Sequence, residues 1–328
     1  MAAKGGPVSA YLSRDRLLRW APFLVLVALI VLFSAINPDF FSLRNFARIT
    51  IAAAPALMVA IGVTFIIIMG SIDLSMEGTV GLTAVLFCFI FLATGGTLAA
   101  GGWLAIPAIL LIGALIGLVN GLIHVRLRIP SFMASLALGF VGTGAAVLLT
   151  GGNIVKIDDD TFRALLTWRI AGFPLMVYVV AALTLLAWFI QSYTTLGRNF
   201  YAVGGGEELA HASGLNVRRV RVMGFVLAGI FYAVAGILQV AKLGQAESVS
   251  GANFMFISIT SVVVGGVALW GGIGGVWNTL VGVLIVAVIN NGMVVIGLPD
   301  YLQDGMLGLL VIVAVVLSTD RRAISFVK

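Results

Sequence analysis

Asp73 and Glu77 are the two carboxylates in this sequence whose surroundings are almost wholly apolar. They sit in Gly70-Ser71-Ile72-Asp73-Leu74-Ser75-Met76-Glu77-Gly78, between two long hydrophobic runs. Four residues apart, they would share nearly one face of a helix starting near Leu74. Ionisable groups at membrane depth are costly and usually serve a pathway, a pairing or a gate. Asp73 and Ser75, with Ser71 assisting, are equally suited to capping the N-terminus of the helix that follows. Both uses stand open. Asn120, Asn290 and Asn291 are amides inside or at the ends of apolar runs, able to bond solute hydroxyls or to bridge helices.

Other catalytic chemistry finds no support. No His/Cys/Asp cluster has metal-ligand spacing, no nucleophile elbow occurs, and Gly204-Gly205-Gly206 lacks the Lys-Ser/Thr of a phosphate loop. The expectation is a chain without an active site or nucleotide site of its own, and without a cofactor or metal. Cys88 is the single cysteine, so no intrachain disulfide forms.

The elements that would position these groups follow from composition. The 328 residues are 61% hydrophobic and 10% charged, with a mean hydropathy of +1.16. A soluble domain is about 45–50% apolar and about a quarter charged. An all-α integral membrane protein follows, because the runs are continuous and near the ~20 residues that a spanning helix needs. Forty glycines suit close helix packing. Ten spans are expected, near Leu18–Ile36, Ile49–Met69, Met76–Thr94, Trp103–His124, Ser131–Thr150, Phe173–Gln191, Val220–Val240, Asn253–Leu269, Val276–Ile296 and Tyr301–Leu317; eight spans are the alternative. The apolar run from about Leu17 is too long for a cleaved leader. With both termini in the cytoplasm, 13 of the 19 basic residues fall inside, as the positive-inside rule requires. The net charge of +6 therefore marks loops rather than nucleic-acid binding.

Two interior breaks, Gly70–Gly78 and Gly265–Gly275, interrupt apolar runs in the two halves, a pattern that points to a transport pathway. Asn120-Gly121 near Ile129-Pro130 is echoed by Asn291-Gly292 near Leu298-Pro299 five spans later, so the halves would be inverted. The largest polar island is Thr194–Val222. It must protrude into water, and its middle, Glu207–Asn216, reads as a short helix between glycines. The loop Thr150–Gly172 on the other side mixes charges (Lys156, Asp158, Asp159, Asp160, Arg163, Arg169) and suits either solvation or docking of an external partner.

Gly70-Ser71-Ile72-Asp73-Leu74-Ser75 resembles the GGIDLS signature of the membrane permeases of ribose-type ATP-binding cassette (ABC) sugar importers, which serve ribose, xylose, arabinose and galactose. Ser71 replaces the second glycine, and Met76-Glu77-Gly78 stands where Val-Gly is usual. Leu196-Gly197-Arg198, Tyr201-Ala202-Val203-Gly204-Gly205, Ala212-Ser213-Gly214-Leu215, Val264-Gly265-Gly266 and Asn290-Asn291-Gly292 continue the likeness in order over nearly the whole chain. The resemblance implies a type II-like importer permease fold, a single domain over 1–328 with a coupling loop at 194–222. It implies a second permease subunit, two ATPase subunits that hold ATP and magnesium, and a periplasmic sugar-binding protein, all at a bacterial inner membrane. The cargo would be a monosaccharide or polyol. Glu208-Leu209-Ala210 to Gly214 partly matches the EAA-x3-G spacing of an ATPase-coupling helix, with Leu209 at an alanine position. The coupling residues are then Glu207, Glu208, Ala210, His211, Ser213, Gly214 and Asn216, and the pathway residues are Ser71, Asp73, Ser75, Glu77, Asn120, Asn290 and Asn291. Two rivals are an ABC permease for branched-chain amino acids or nucleosides, and an ion-coupled carrier using Asp73 or Glu77.

Overall fold

The computed structural model describes residues 8–299 and 302, 303, 305, 306, 308, 309 and 312, with side chains described from Trp20 onward. Its helices begin and end where the sequence supplies caps. Ser42 Oγ accepts from Asn45 N–H to open α2 (Leu43–Ile68), and Gly70, at φ +72°, closes it. α3 is Met76–Ala93, α4 Ala105–Leu127 and α5 Ser131–Thr150, the last bounded by Pro130 and by Gly151 at φ +60°. α1, Val8–Ile36, precedes them. In the second half, α6 (Asp160–Thr167) is a short surface helix, and α7 (Leu175–Tyr193) is followed by α8 (Thr195–Gly205) and α9 (Glu207–Ala212). α10 (Val217–Leu243), α11 (Phe254–Val264) and α12 (Val276–Val295) complete the described chain.

Seven of these helices, α2, α3, α4, α5, α7, α10 and α12, are long and apolar enough to cross a membrane. α1 adds the apolar stretch Trp20–Ile36. The expected eighth span needs correction. α11 has 11 residues and reaches only about 16 Å, half of a ~30 Å hydrocarbon core. The apolar run Val267-Ala268-Leu269, part of the expected span, belongs to a Gly-rich turn instead. Most of the expected tenth span, Asp300 and Asp304, and the residues that would place both termini (Lys4, Arg321, Arg322, Lys328) lie outside the described residues.

α2 is the axis, with 89% of its apolar window enclosed, against 28%, 28% and 22% for α4, α5 and α7. Those three turn long rows of exposed apolar side chains outward, Leu111, Leu115, Phe140, Leu148 and Phe189 among them, as helices in contact with lipid do. Tight contacts are made by glycine. On α4, Gly113, Gly117 and Gly121 face Gly229, Phe225 and Val222 of α10; a methyl at Gly117 would collide with the Phe225 carbonyl. Gly78 of α3 likewise rests on the backbone of Gly139 in α5.

The packing repeats with a five-span offset. α4 lies on α10 as α12 lies on α2, α3 lies on α10 as α11 lies on α2, and α2 and α10 touch each other. An odd offset inverts the second half relative to the first. The arrangement also re-pairs the interior breaks. The counterpart of 69–75, between α2 and α3, is 244–253, between α10 and α11; Gly265–Gly275 falls one connection later. Segment 244–253 turns back into the bundle, so that Gly251 rests on the backbone of Glu77 and Ser248 on Gly81. Gly236 of α10 lies beside Thr83 and Ala84, which puts this turn roughly 15 Å inside the end of α10. Two short antiparallel pairs, β1 (Val155–Lys156) with β4 (Gln245–Ala246) and β2 (Arg169–Ile170) with β3 (Phe173–Pro174), tie the connections at that end.

Candidate functional site

The residues singled out in the sequence fall into three places along the bundle. Nearest the end that carries Thr194–Val222 is a buried carboxylate. Gly70 turns the chain, Ser71 N–H closes the end of α2 on the Ile66 carbonyl, and residues 71–75 run extended into the protein. Their backbone is held from outside, since Ile72 N–H and Leu74 N–H donate to Ser131 and Ser135 of α5. Asp73, 2% exposed, accepts through Oδ1 from Ser75 N–H (2.8 Å), Ser75 Oγ (2.7 Å) and Asn120 Nδ2 (3.4 Å). Its Oδ2 accepts from the Tyr232 hydroxyl at 3.2 Å. Four donors thus converge on one carboxylate, joining α3, α4 and α10.

Three expectations change here. Ser71 finishes α2 rather than assisting the start of α3, and Ser75 caps nothing but donates to Asp73. Asp73 and Glu77 do not share a face, because α3 starts only at Met76. Glu77 turns the other way, its Oε1 accepting from Met255 N–H at 3.2 Å. It thereby supplies the anion and acceptor that the N-terminus of α11 lacks, since Asn253 makes no side-chain cap there. Tyr232 was not anticipated. A single tyrosine in Gly229–Val240 reads as one more apolar residue, and only its position opposite Asp73 gives it meaning.

Asn290 and Asn291 are elsewhere. With Arg48, Gln239, Lys242 and Asn253 they line a cavity of about 450 Å³ between α2, α10, α11 and α12, at the end remote from the polar segment. Phe254 and Ile257 of α11 also line it, so it reaches the half-helix that Glu77 caps. Asn45 Nδ2 donates to Asn291 Oδ1 at 2.9 Å. Gln239 Oε1 and Asn290 Oδ1 are buried acceptors without a hydrogen-bond partner, and among the described residues Arg48 and Lys242 form no ion pair. Such a wall offers free acceptors and donors to a polyhydroxylated solute. Gln239 was also missed in the sequence, and Asn120 and Asn291, the amides of the internal echo, sit at opposite ends of the bundle.

The third place is the polar segment. The expected helix Glu207–Asn216 is shorter than its reading: α9 ends at Ala212, Gly214 takes φ +84°, and Asn216 caps α10 by accepting from Arg219 N–H. Glu208, His211 and Ser213 are exposed, Ala210 is buried, and Leu209 is 75% exposed. Glu207 pairs with Arg221 at 2.6 Å, fastening α9 to α10. α8 is keyed to the Gly265–Gly275 turn. The Tyr201 hydroxyl donates to the Gly274 carbonyl at 2.6 Å, and Gln191 joins Tyr201 to Val276 N–H, the start of α12. Gly204 lies so close to Ile68 and Gly272 that a side chain there would strike the Ile68 carbonyl. Of the three glycines, Gly204 is the one that this backbone contact requires.

Comparison with known proteins gives the same reading of the chain. Residues 45–315 match the family described as "Branched-chain amino acid transport system / permease component". The chain belongs to this permease family. It is 32% identical to the ribose import permease protein RbsC of Haemophilus influenzae over 297 residues, covering 89% of this chain and 90% of that one. It is 33% identical to the galactose/methyl galactoside import permease protein MglC of the same organism, covering 95% and 97%. The D-allose transport system permease protein AlsC of Escherichia coli is 27% identical over 91% of each chain. No solved structure matches the chain. The permease is thus a multi-pass membrane protein whose relatives import sugars.

Proposed function

We propose that this permease passes a monosaccharide or polyol across a bacterial inner membrane, as half of a pathway completed by a second permease subunit, driven by two ATPase subunits and fed by a periplasmic sugar-binding protein. The observation that carries the cargo assignment is the cavity at Gln239 and Asn290, where buried amide oxygens lie unpartnered. Hydroxyl groups are the donors such oxygens lack. Relatives of similar length that import ribose, galactose and allose point the same way.

In this reading α9 is the coupling helix. Glu208, Leu209, His211 and Ser213 meet the ATPase, Ala210 seats the helix, and Gly214 and Asn216 set its link to α10. Movement of α9 pulls Arg221 and, through α8, the contact of Gly204 with Ile68 and Gly272. That contact adjoins the segment 70–75, whose Asp73 cluster holds α3, α4 and α10 together. Access from the cavity past α11 would change as the cluster and the Glu77 cap shift. ATP and magnesium belong to the partner, and both termini stay in the cytoplasm.

The test is uptake by the complex in proteoliposomes. Wild type should require its ATPase and binding protein, and Asn290→Leu with Gln239→Leu should lower sugar uptake about tenfold or more while the ATPase still assembles. Uptake by the isolated chain driven by an ion gradient would overturn this reading. The family description keeps one rival in view: a branched-chain amino acid as cargo predicts leucine uptake that the amide substitutions leave unchanged.

A further inference from the structure

A second polar hollow lies where α4, the α4–α5 turn, α9 and α10 meet. It has a volume of about 340 Å³ and is lined by His124, Arg128, Arg218, Arg221 and Glu207, with Ile129 and Pro130 as an apolar wall. Three guanidinium groups face one carboxylate. That carboxylate is already engaged, because Glu207 Oε2 takes an Arg221 terminal nitrogen at 2.6 Å. Arg128 and Arg218 form no ion pair among the described residues.

Two buried nitrogens here have no partner: His124 Nε2 and Arg221 Nε. His124 Nδ1 lies 2.7 Å from the Ile129 carbonyl and must donate to it, since a carbonyl only accepts. Nε2 is then bare in the neutral ring and becomes a donor on protonation. Arg221 Nε is a donor at all times. A hollow with surplus positive charge and a vacant buried N–H is complementary to a tetrahedral oxyanion, which accepts from several directions at once.

The surroundings say how such a group would arrive. Leu127 of α4 and Phe132 and Met133 of α5, next in sequence to the lining residues, are all more than 40% exposed and apolar, on two of the helices that turn their faces to lipid. Basic pockets between membrane helices next to an apolar surface suit phospholipid headgroups.

We infer that this hollow binds a phosphate group, carried by an anionic phospholipid or free in solution, and that the bound phosphate braces α9 against α10. The bridge works through Arg221, which would hold Glu207 and the phosphate together. This inference stands apart from the cargo assignment, because it concerns the opposite end of the bundle.

The experiment uses the full chain in nanodiscs of neutral phosphatidylcholine, with or without phosphatidylglycerol, read by native mass spectrometry and by thermal unfolding. The wild type should retain phosphatidylglycerol selectively. Arg128→Gln with Arg218→Gln should weaken retention on the order of 30-fold, about fivefold per guanidinium lost. Arg219→Gln, exposed and outside the hollow, should leave it unchanged. Inorganic phosphate in neutral nanodiscs is the second arm. If it raises the unfolding temperature of wild type but not of the double variant, and phosphatidylglycerol adds nothing, the site stands and its source is soluble phosphate. The inference falls if neither probe binds, if Arg219→Gln weakens binding equally, or if only the ATPase subunit occupies the hollow. A double variant that fails to fold is replaced by Arg128→Lys with Arg218→Lys, which keeps the charge and should retain lipid more weakly.

Discussion

Gly204 and Gly205 are neighbours in one helix, yet a methyl group added to each should have opposite consequences. At Gly204 the new Cβ would collide with the Ile68 carbonyl oxygen and stand 2.8 Å from Gly272 N, both of them backbone atoms. Those two atoms are themselves hydrogen-bonded at 2.9 Å, so the methyl would be driven into the bond that fixes the Gly-rich turn to the end of α2. Losing that bond costs about 0.5–1.5 kcal/mol, and overpacking against backbone that cannot rotate away adds about 1–3 kcal/mol. The total is about 2–4 kcal/mol, or roughly 30- to 1,000-fold in the equilibrium between docked and undocked α8. At Gly205 nothing lies within 4 Å of the added atom, and Gly205→Ala should change stability by no more than about 0.5–1 kcal/mol, in the favourable direction. Chemical denaturation of the purified chain in detergent measures the first effect. ATP hydrolysis stimulated by loaded binding protein, in the assembled complex, measures whether undocking breaks coupling. Equal behaviour of the two alanine variants would refute the claim that this glycine contact transmits motion.

The buried carboxylate should rank its neighbours by how many donors each change strands. Asp73→Ala leaves Ser75, Asn120 and Tyr232 without their acceptor and should cost about 3 kcal/mol or more, whereas Tyr232→Phe removes one donor and should cost about 1–2 kcal/mol; denaturant midpoints in detergent give the order, and a reversed order would sink the network. Glu77→Ala should loosen the first turn of α11 by about 1 kcal/mol, seen as faster amide exchange at Met255, while Glu77→Gln, which keeps an acceptor oxygen, should lose about half as much. Gly214→Trp should abolish association with the ATPase yet leave the chain inserted in the membrane, since the site has open space but φ +84° suits only glycine. Normal assembly and transport by that variant would remove α9 from the coupling role.

What the sequence made legible was whatever is written in local chemistry. Ser131–Thr150 was readable to the residue, because Pro130 forbids the helix before it and Gly151 supplies the left-handed cap after it. α11 was not, because hydropathy continues through Val267, Ala268 and Leu269 while the backbone has already turned at Gly265 and Gly266. Hydropathy sees side chains, and a re-entrant turn is a backbone event. The same limit hid segment 244–253, whose return into the bundle depends on Gly251 finding Glu77. Asp73 and Glu77 were recognisable as costly, but their separation into two networks depends on α4, α10 and α11 arriving from far along the chain. Tyr232 and Gln239 carry no local signal at all.

The inverted packing gives a physical reason for two short devices instead of one. In the first half a segment unwinds at 70–75 and the chain is stopped by a carboxylate, Asp73, facing a tyrosine and an amide of α10 and α4. In the second half the equivalent segment, 244–253, unwinds at the other end, and the half-helix that follows is stopped by Glu77, a residue of the first half. Each break therefore shares at least one hydrogen bond with the opposite repeat, Tyr232 to Asp73 in the first and Met255 N–H to Glu77 in the second, so neither half can tilt without disturbing the partner's break. Unwound backbone at membrane depth is tolerated only against protein or a water-filled cavity, and here one break meets protein and the other the cavity of Asn290. That asymmetry is one of degree: Asp73 accepts from four donors while its neighbour Asn120 Oδ1 stays unpartnered, and at the other end Gln239 Oε1 and Asn290 Oδ1 are both unpartnered. Reversing it requires the Asp73 donors to find other acceptors, and so the hydrogen bond from Tyr232 should lengthen or break in the opposite-facing state; fluorotyrosine at 232, observed by fluorine NMR with ATP and vanadate, would shift on turnover, and an unmoved resonance would deny the cluster a part in gating.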